Sequence, residues 1–289
     1  MTVSETVLQV RRQMDEINQR AFTSRRALRH YTALSGWIDP GEEVAIRHVA
    51  AEIGSTRSGA LRILDIGIGA GRTVPMMLDV SRDYIGIDMA PKLLAIANKR
   101  FPEVDLRVMD ARALDFEAAR FDLVTFSYNG VDSVDLPDRL RILSEVRRVL
   151  APDGLFVFSA LNRDGPDHAP RLAAPGLREG HSPISELLRV APKAVVNSWN
   201  YWRHRRLNQH GENISVSTLS AHSFGVVAIF ISVPEQVKQL HEAGFSVDVV
   251  YDCIHGQSVA PDQHDTEAGY LHYVARIDGA ALNANCPES

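Results

Sequence analysis

The sequence predicts an α/β fold, a doubly wound, mostly parallel seven-stranded sheet carrying an inserted lid. Three observations carry this reading. Short apolar runs alternate with helix-like stretches between residues 61 and 160, a glycine-rich turn follows the first run, and two late apolar runs stand without a helical pattern between them. Such alternation implies right-handed crossovers in a parallel sheet.

Taken in chain order, residues 1–60 read as a helical cover. Val7, Val10, Met14 and Ile17 recur at helical spacing, and RHYTALSGWIDPGEE leads into a further helical pattern, EEVAIRHVAAEI. Residues 61–73, LRILDIGIGAGRT, then supply a strand buried on both faces (Leu61, Ile63, Leu64, Ile66) with Asp65 near its end, followed by Gly67, Gly69 and Gly71. Glycine permits positive φ and close approach of a ligand to the backbone, and the free amides of the next helix point at whatever sits there. A nucleotide cradle is the functional reading of this turn; an ordinary glycine-rich turn is the structural one.

The neighbouring runs favour the cradle. In YIGIDMA an apolar run ends at Asp88, seventeen residues past Gly71, where a dinucleotide fold puts a carboxylate for ribose hydroxyls. In VDLRVMDARAL the run ends at Asp110, FDLVTFSYNGVD leaves Ser127 and Asn129 after its apolar run, and GLFVFSALN leaves Ser159 and Asn162. Between them lie PKLLAIANKR, with Pro91 suited to a first helical position, and PDRLRILSEVRRVL, apolar at 140, 142, 143, 146, 149 and 150. Ligands of such sheets bind beyond the carboxyl ends of the strands, so Gly67 to Gly71, Asp88, Asp110 and Ser127 should converge there. Near the C-terminal end, Pro234 opens and Gly244 closes a helical pattern, after which FSVDVVYD and GYLHYVARID suit an antiparallel pair.

In order and spacing these segments resemble class I S-adenosylmethionine-dependent methyltransferases of the small-molecule type. LDIGIGAGRT is similar to the first motif of that family, GIDMA to the second, MDARAL to the third, and RRVLAPDGLFVFS to a later strand-forming motif. The resemblance covers roughly residues 61 to 160 and implies S-adenosylmethionine as cofactor. It implies Asp65 and Gly67, Gly69 and Gly71 around the methionine part, Asp88 on the ribose diol, Met89 beside the adenine, Asp110 with Ala111 at the adenine edge, and Ser127, Tyr128 and Asn129 near the sulfonium. Arg72 joins the cofactor-binding positions. Its bulk, where a nicotinamide-binding loop needs a small residue, also disfavours a nicotinamide-dependent reductase. Related enzymes often bring a tyrosine from a leading helix to the cofactor's carboxylate, which makes Tyr31 a candidate; simple packing of Tyr31 and Trp37 is the alternative. The implied core is 61–161 with 233–278, and 279–289 is a tail.

Residues 162–232 far exceed a usual connection and form the expected acceptor-binding lid. A Pro- and Gly-rich start gives way to ISELLRVAPKAVVNSWNYWRHRR, where Trp199 and Trp202 bracket Tyr201. Those aromatics could stack on a planar acceptor or pin the lid to the body. Expected substrate-binding residues are Asn129, Asn162, Trp199, Trp202 and His222. If the acceptor must lose a proton, His168, His181 and His222 are base candidates, with His222 first and His181 beside it, each weighed against an ordinary surface or hydrogen-bonded histidine.

Composition narrows the partners. At 289 residues and 45% apolar content, the chain can form one catalytic domain with an insertion. A formal charge of −5 disfavours a polyanionic partner, and Arg203, His204, Arg205 and Arg206 read as a solvated helix end. SYNG also lacks the Pro-Pro-aromatic tetrapeptide of enzymes resembling adenine or glutamine amide methylases, so no nucleic-acid partner is expected. Cys253 and Cys286 have no CxxC spacing, and Asp132 and Asp135 lack the Asp-Asn pair of the catechol-methylating kind, so no metal is expected either. The opening residues lack the apolar run of a signal peptide or membrane span, pointing to a cytoplasmic protein without a membrane partner, monomer or homodimer. The expected activity is methyl transfer to an oxygen or nitrogen of a small metabolite. The alternative is a methyltransferase-like cofactor-binding or scaffold subunit without turnover.

Overall fold

A computed structural model of the chain describes residues 3–34, 36–56, 59–169, 172, 183–263 and 266–279. Three helices lead: α1 (Val3–Phe22), α2 (Arg25–Ala33) and α3 (Pro40–Thr56). The alternating stretch becomes β1 (Ile63–Ile66), α4 (Val74–Val80), β2 (Tyr84–Asp88), α5 (Pro91–Arg100), β3 (Asp105–Val108), β4 (Phe121–Phe126), α6 (Leu136–Val149) and β5 (Leu150–Leu161). Pro91 and Pro137 sit in the first turns of α5 and α6, where a missing N–H costs nothing, and Asp135 caps α6 by accepting from the Asp138 amide at 2.9 Å.

These strands assemble in the order β3-β2-β1-β4-β5-β10-β9, with β9 (Phe245–Asp252) and β10 (Tyr270–Ile277) completing the seven. Strands β1 to β5 pair in parallel, whereas β10 runs antiparallel to both β5 and β9. The expected mostly parallel sheet, closed by an antiparallel pair without an intervening helix, is therefore present. Strand order reverses between β1 and β4, and the carboxyl ends of both open on the same rim, the usual place for a ligand crevice.

Both faces of the sheet are covered, which is why the central strands read as continuous apolar runs. α6 and α8 (Val233–Glu242) pack Ile142, Leu143, Val146, Val149, Val233 and Leu240 on one face. On the other, α3, α4 and α5 contribute Ala45, Ile46, Val49, Ile53, Val74, Met77, Leu94 and Ala97. Only α1 and α2 act as a cover; α3, grouped with them in the expected 1–60 unit, is a layer of the sheet because its apolar stripe faces the strands.

The insertion holds more than a helix. After α7 (Pro183–His204) come β6 (Gln209–His210), β7 (Ile214–Thr218) and β8 (Val227–Ile231), an antiparallel sheet in the order β6-β7-β8. Its inner side meets α1: Met14 and Ile17 pack on Val227, Ile229 and Ile231. The apolar run after His222 thus builds a second small sheet, joined to the main body by an isolated bridge between Asn162 and Ile231.

Candidate functional site

The turn after β1 is built from glycines that answer different demands. A Cβ at Gly67 would stand 2.7 Å from the Phe126 ring, and one at Gly71 would stand 2.7 Å from Phe101 of the segment after α5, so both keep neighbours close. Gly69 differs, with φ +57° and no atom within 4 Å of where its Cβ would be. It lines a cavity, and its bare backbone admits a ligand there.

That cavity, about 710 Å³, opens over the ends of β1, β2 and β4 under α1 and α2. Its floor includes Gly67, Gly69, Asp88, Met89, Asp110, Ala111, Ser127, Tyr128 and Asn129. Its cover includes Asn18, Phe22 and Tyr31, with Arg72, Trp37, His222 and Tyr270 in the walls. Twelve of the expected residues therefore share one chamber: Tyr31, Gly67, Gly69, Arg72, Asp88, Met89, Asp110, Ala111, Ser127, Tyr128, Asn129 and His222.

Asp88 accepts from the amides of Gly69 and Ala90, each at 2.7 Å. One lone pair on each carboxylate oxygen is thereby used to shape the loop, and the remaining ones are available to a ligand hydroxyl. Burial pushes this carboxyl above the ordinary range, with the two amides opposing the shift. Burial also pushes Asp110 up, but Arg112 outweighs it and holds the group below the ordinary range. The same guanidinium donates to Asp110 at 2.8 Å, to Asp15 of α1 at 3.0 Å and to Asp138 of α6 at 2.7 Å.

Arg72 is held by α3. It donates to both carboxylate oxygens of buried Glu42, at 2.5 and 2.8 Å, and to the Trp37 carbonyl at 2.9 Å, and its guanidinium lies over the Tyr128 ring. Next to this pair, Asp39 accepts from His272 Nε2 at 2.8 Å and from the Tyr270 hydroxyl at 3.1 Å, and it caps α3 through the Glu42 amide. Burial raises the Asp39 carboxyl, but the His272 bond and charge more than offset it and the net shift is downward.

His222 enters the cavity from a short turn, Ser220–His222. Its ring stacks on Tyr31 at 6.0 Å and meets Phe22 and His30 edge-on. Burial, helped by the nearby His30 and Arg26, pushes its pKa down to about 4. Burial likewise keeps the Tyr31 phenol un-ionised.

Five of the expected site residues lie outside this chamber. Asp65 is not in the cavity; it lies fully buried beneath, accepting from Thr73, Tyr84 and Thr125 hydroxyls at 2.5, 3.0 and 2.8 Å, and so ties β1 to β2, β4 and the start of α4. Gly71 packs against Phe101 and does not line the chamber. Asn162 is buried in the joint with the insertion, donating to the Ala268 carbonyl and accepting from the Asp164 amide. Trp199 and Trp202 point outward from α7, 66% and 57% exposed, because it is Tyr201 that faces in and packs on Phe224. His181 lies outside the described residues, and His168 is engaged with the Gly165 carbonyl.

Sequence reasoning missed Asn18, Glu42 and Tyr270. Asn18 is the most informative, since a buried amide inside the apolar stripe of Met14 and Ile17 is a polar group in need of partners. Its Nδ2 donates to the carbonyls of Ser133 and Val227, both at 2.8 Å, and its Oδ1 accepts from the Val227 amide at 2.9 Å. Asp132 is similarly accounted for: its oxygens accept from Arg139 and from the Leu161 amide.

Residues 63–154 match the model of a methyltransferase domain. Curated relatives include the demethylmenaquinone methyltransferase of Renibacterium salmoninarum, 33% identical over 98 residues, which are 34% of this chain and 40% of that protein. The ubiquinone biosynthesis O-methyltransferase of Cereibacter sphaeroides is 35% identical over 108 residues, 36% of this chain and 42% of that one. The matched segment thus spans about two fifths of these relatives' length. Among solved structures, an S-adenosylmethionine-dependent methyltransferase of Clostridium acetobutylicum shares the fold at TM-score 0.54 and 12% identity, covering 83% of this chain and 92% of that one. The CcbJ methyltransferase of Streptomyces caelestis does so at 0.52 and 13%, covering 83% and 91%. The sheet order and the motifs of β1 to β5 agree with this match: residues 63–154 carry a methyltransferase domain, and the fold is that of S-adenosylmethionine-dependent methyltransferases.

Proposed function

We propose that this chain transfers a methyl group from S-adenosylmethionine to an oxygen or nitrogen of a small-molecule metabolite. The observation that carries the reading is the single chamber at the switch point, where Gly69 presents bare backbone beside the buried Asp88 carboxylate. These residues fit the cofactor: Asp88 keeps lone pairs for a diol, Met89 and Ala111 offer apolar contact, and Asn129 has a buried Oδ1 without a partner among the described residues. Relatives named for ubiquinone and menaquinone methylation support a small acceptor.

When bound, S-adenosylmethionine supplies an electrophilic methyl on a cationic sulfur. The protein's part is then positioning and exclusion of water. Phe22, Tyr31 and Tyr128 wall the chamber with aromatic rings, which attract a cation without solvating it as water would. His222, neutral at physiological pH, is placed to accept a proton from an acceptor as its bond to carbon forms.

Calorimetric titration with S-adenosylhomocysteine tests the reading. Binding is expected, and Asp88→Ala should weaken it at least tenfold, since each hydrogen bond to a charged group is worth about 1.5–3 kcal/mol. Absence of binding would end the proposal. Tight binding without methyl transfer to any member of a broad metabolite panel would favour the silent-subunit alternative.

A further inference from the structure

The insertion helix α7 carries large apolar side chains on its outer face as well as on its inner one. Val195, Val196, Trp199 and Trp202 fall at helical spacing on one face and are 68%, 43%, 66% and 57% exposed. The opposite face is tied down by polar groups: Asn200 Nδ2 donates to the Ser223 carbonyl at 3.0 Å, and His204 Nδ1 donates to the Phe224 carbonyl at 3.0 Å. A helix meant only for water would turn these groups the other way.

The charges beside this face have one sign. From residue 187 to 211 there is no Asp or Glu, while Lys193, Arg203, Arg205 and Arg206 are all exposed, in a chain whose formal charge is −5. Arg205 lies over the Trp202 ring at 4.4 Å. Indole rings beside cationic side chains on an exposed apolar face match the chemistry of a lipid–water boundary. A second copy docking on the same face would bring like charges together, so charge complementarity selects an anionic surface.

We propose that α7 docks this protein peripherally on an anionic lipid bilayer, with Val195, Trp199 and Trp202 entering the headgroup region and Arg203 and Arg206 meeting lipid phosphates. Insertion across the bilayer is not involved, since no described helix is long and apolar enough to cross a membrane. The inference does not depend on the acceptor's identity. It has a consequence for the cavity, because the loop that α7 holds, residues 219–226, supplies Leu219, His222 and Val226 to the chamber wall.

Co-sedimentation of the full chain with vesicles of phosphatidylglycerol and phosphatidylcholine, and with phosphatidylcholine alone, tests this. Binding to the anionic vesicles is expected, weakening as salt rises. Trp199→Ser/Trp202→Ser should lower it at least tenfold. Arg203→Glu/Arg206→Glu, which touches only exposed side chains, should lower it by about thirtyfold or more. Unchanged thermal midpoints would show that both variants remain folded. No binding to anionic vesicles, or equal binding to neutral ones, overturns the proposal. So does a dimer in velocity sedimentation that the tryptophan variant dissolves, which would assign the face to a second copy.

Discussion

His222 sits among rings with Arg26 nearby, and no carboxylate among the described residues raises its basicity. A base must be neutral to act, and a group whose pKa is about 4 stays neutral until the pH falls through that value. If His222 accepts the proton, kcat/KM should hold level down to about pH 5 and fall only below it. An acid limb centred near 6.5 and abolished in His222→Gln would contradict the environment described. Histidine is legible in a sequence as a candidate but its role is not, because the rings that set its ionisation come from α1, α2 and the insertion, far apart in the chain. Asp65 makes the converse point. It stands where an acid of the glycine-rich motif belongs, yet three hydroxyls claim it, two of them from the neighbouring strands β2 and β4, and local pattern could not separate a ligand-facing carboxylate from one beneath the floor.

At the scale of elements, what could be read was what neighbours in sequence decide. β1, its glycine turn, Pro91 at the start of α5 and the β9–β10 pair rest on local periodicity and on backbone preferences, and all appear as expected. β6 to β8 were not foreseen, because β7 and β8 gain their stability from pairing with each other and from Met14 and Ile17 more than two hundred positions earlier. The cover depends on the same distant contact. Asn18→Ala would strip the buried Val227 amide of its acceptor, at a cost of about 1–3 kcal/mol. Faster hydrogen exchange at the Val227 amide, and weaker S-adenosylhomocysteine binding with a thermal midpoint lowered by only several degrees, would show that Asn18 positions α1 over the chamber. Equal exchange in the two proteins would show that α1 is held by packing alone.

For the whole molecule, the buried carboxyls set how stability follows pH. Asp65 and Asp132 both titrate near 6 in the folded state, mainly because burial disfavours their charge, against roughly 4 for an unfolded aspartate. Between those values the folded form binds protons that the unfolded form does not, so these groups stabilise the fold as pH drops from about 7 to 4. Asp39 and Asp110, whose pKa values are lowered, act in the opposite sense and below that window. Thermal midpoints measured across pH 4–7 should therefore change less steeply in Asp65→Asn than in the parent chain, and an identical slope would mean that Asp65 carries no excess proton. The mostly parallel seven-stranded sheet was legible because alternation of strand and helix constrains topology; the energetic role of single buried acids was not, because it depends on partners from the whole chain.

The three indoles of this chain are divided by the fold between two places. Trp37 belongs to the chamber wall, near the guanidinium of Arg72. Trp199 and Trp202 stand on the far side of the insertion helix. A single fluorescence spectrum is therefore a sum of two reports, one sensitive to what fills the interior and the other to what touches the exterior. Single-tryptophan variants would separate them, giving the protein built-in probes for both events without any added label.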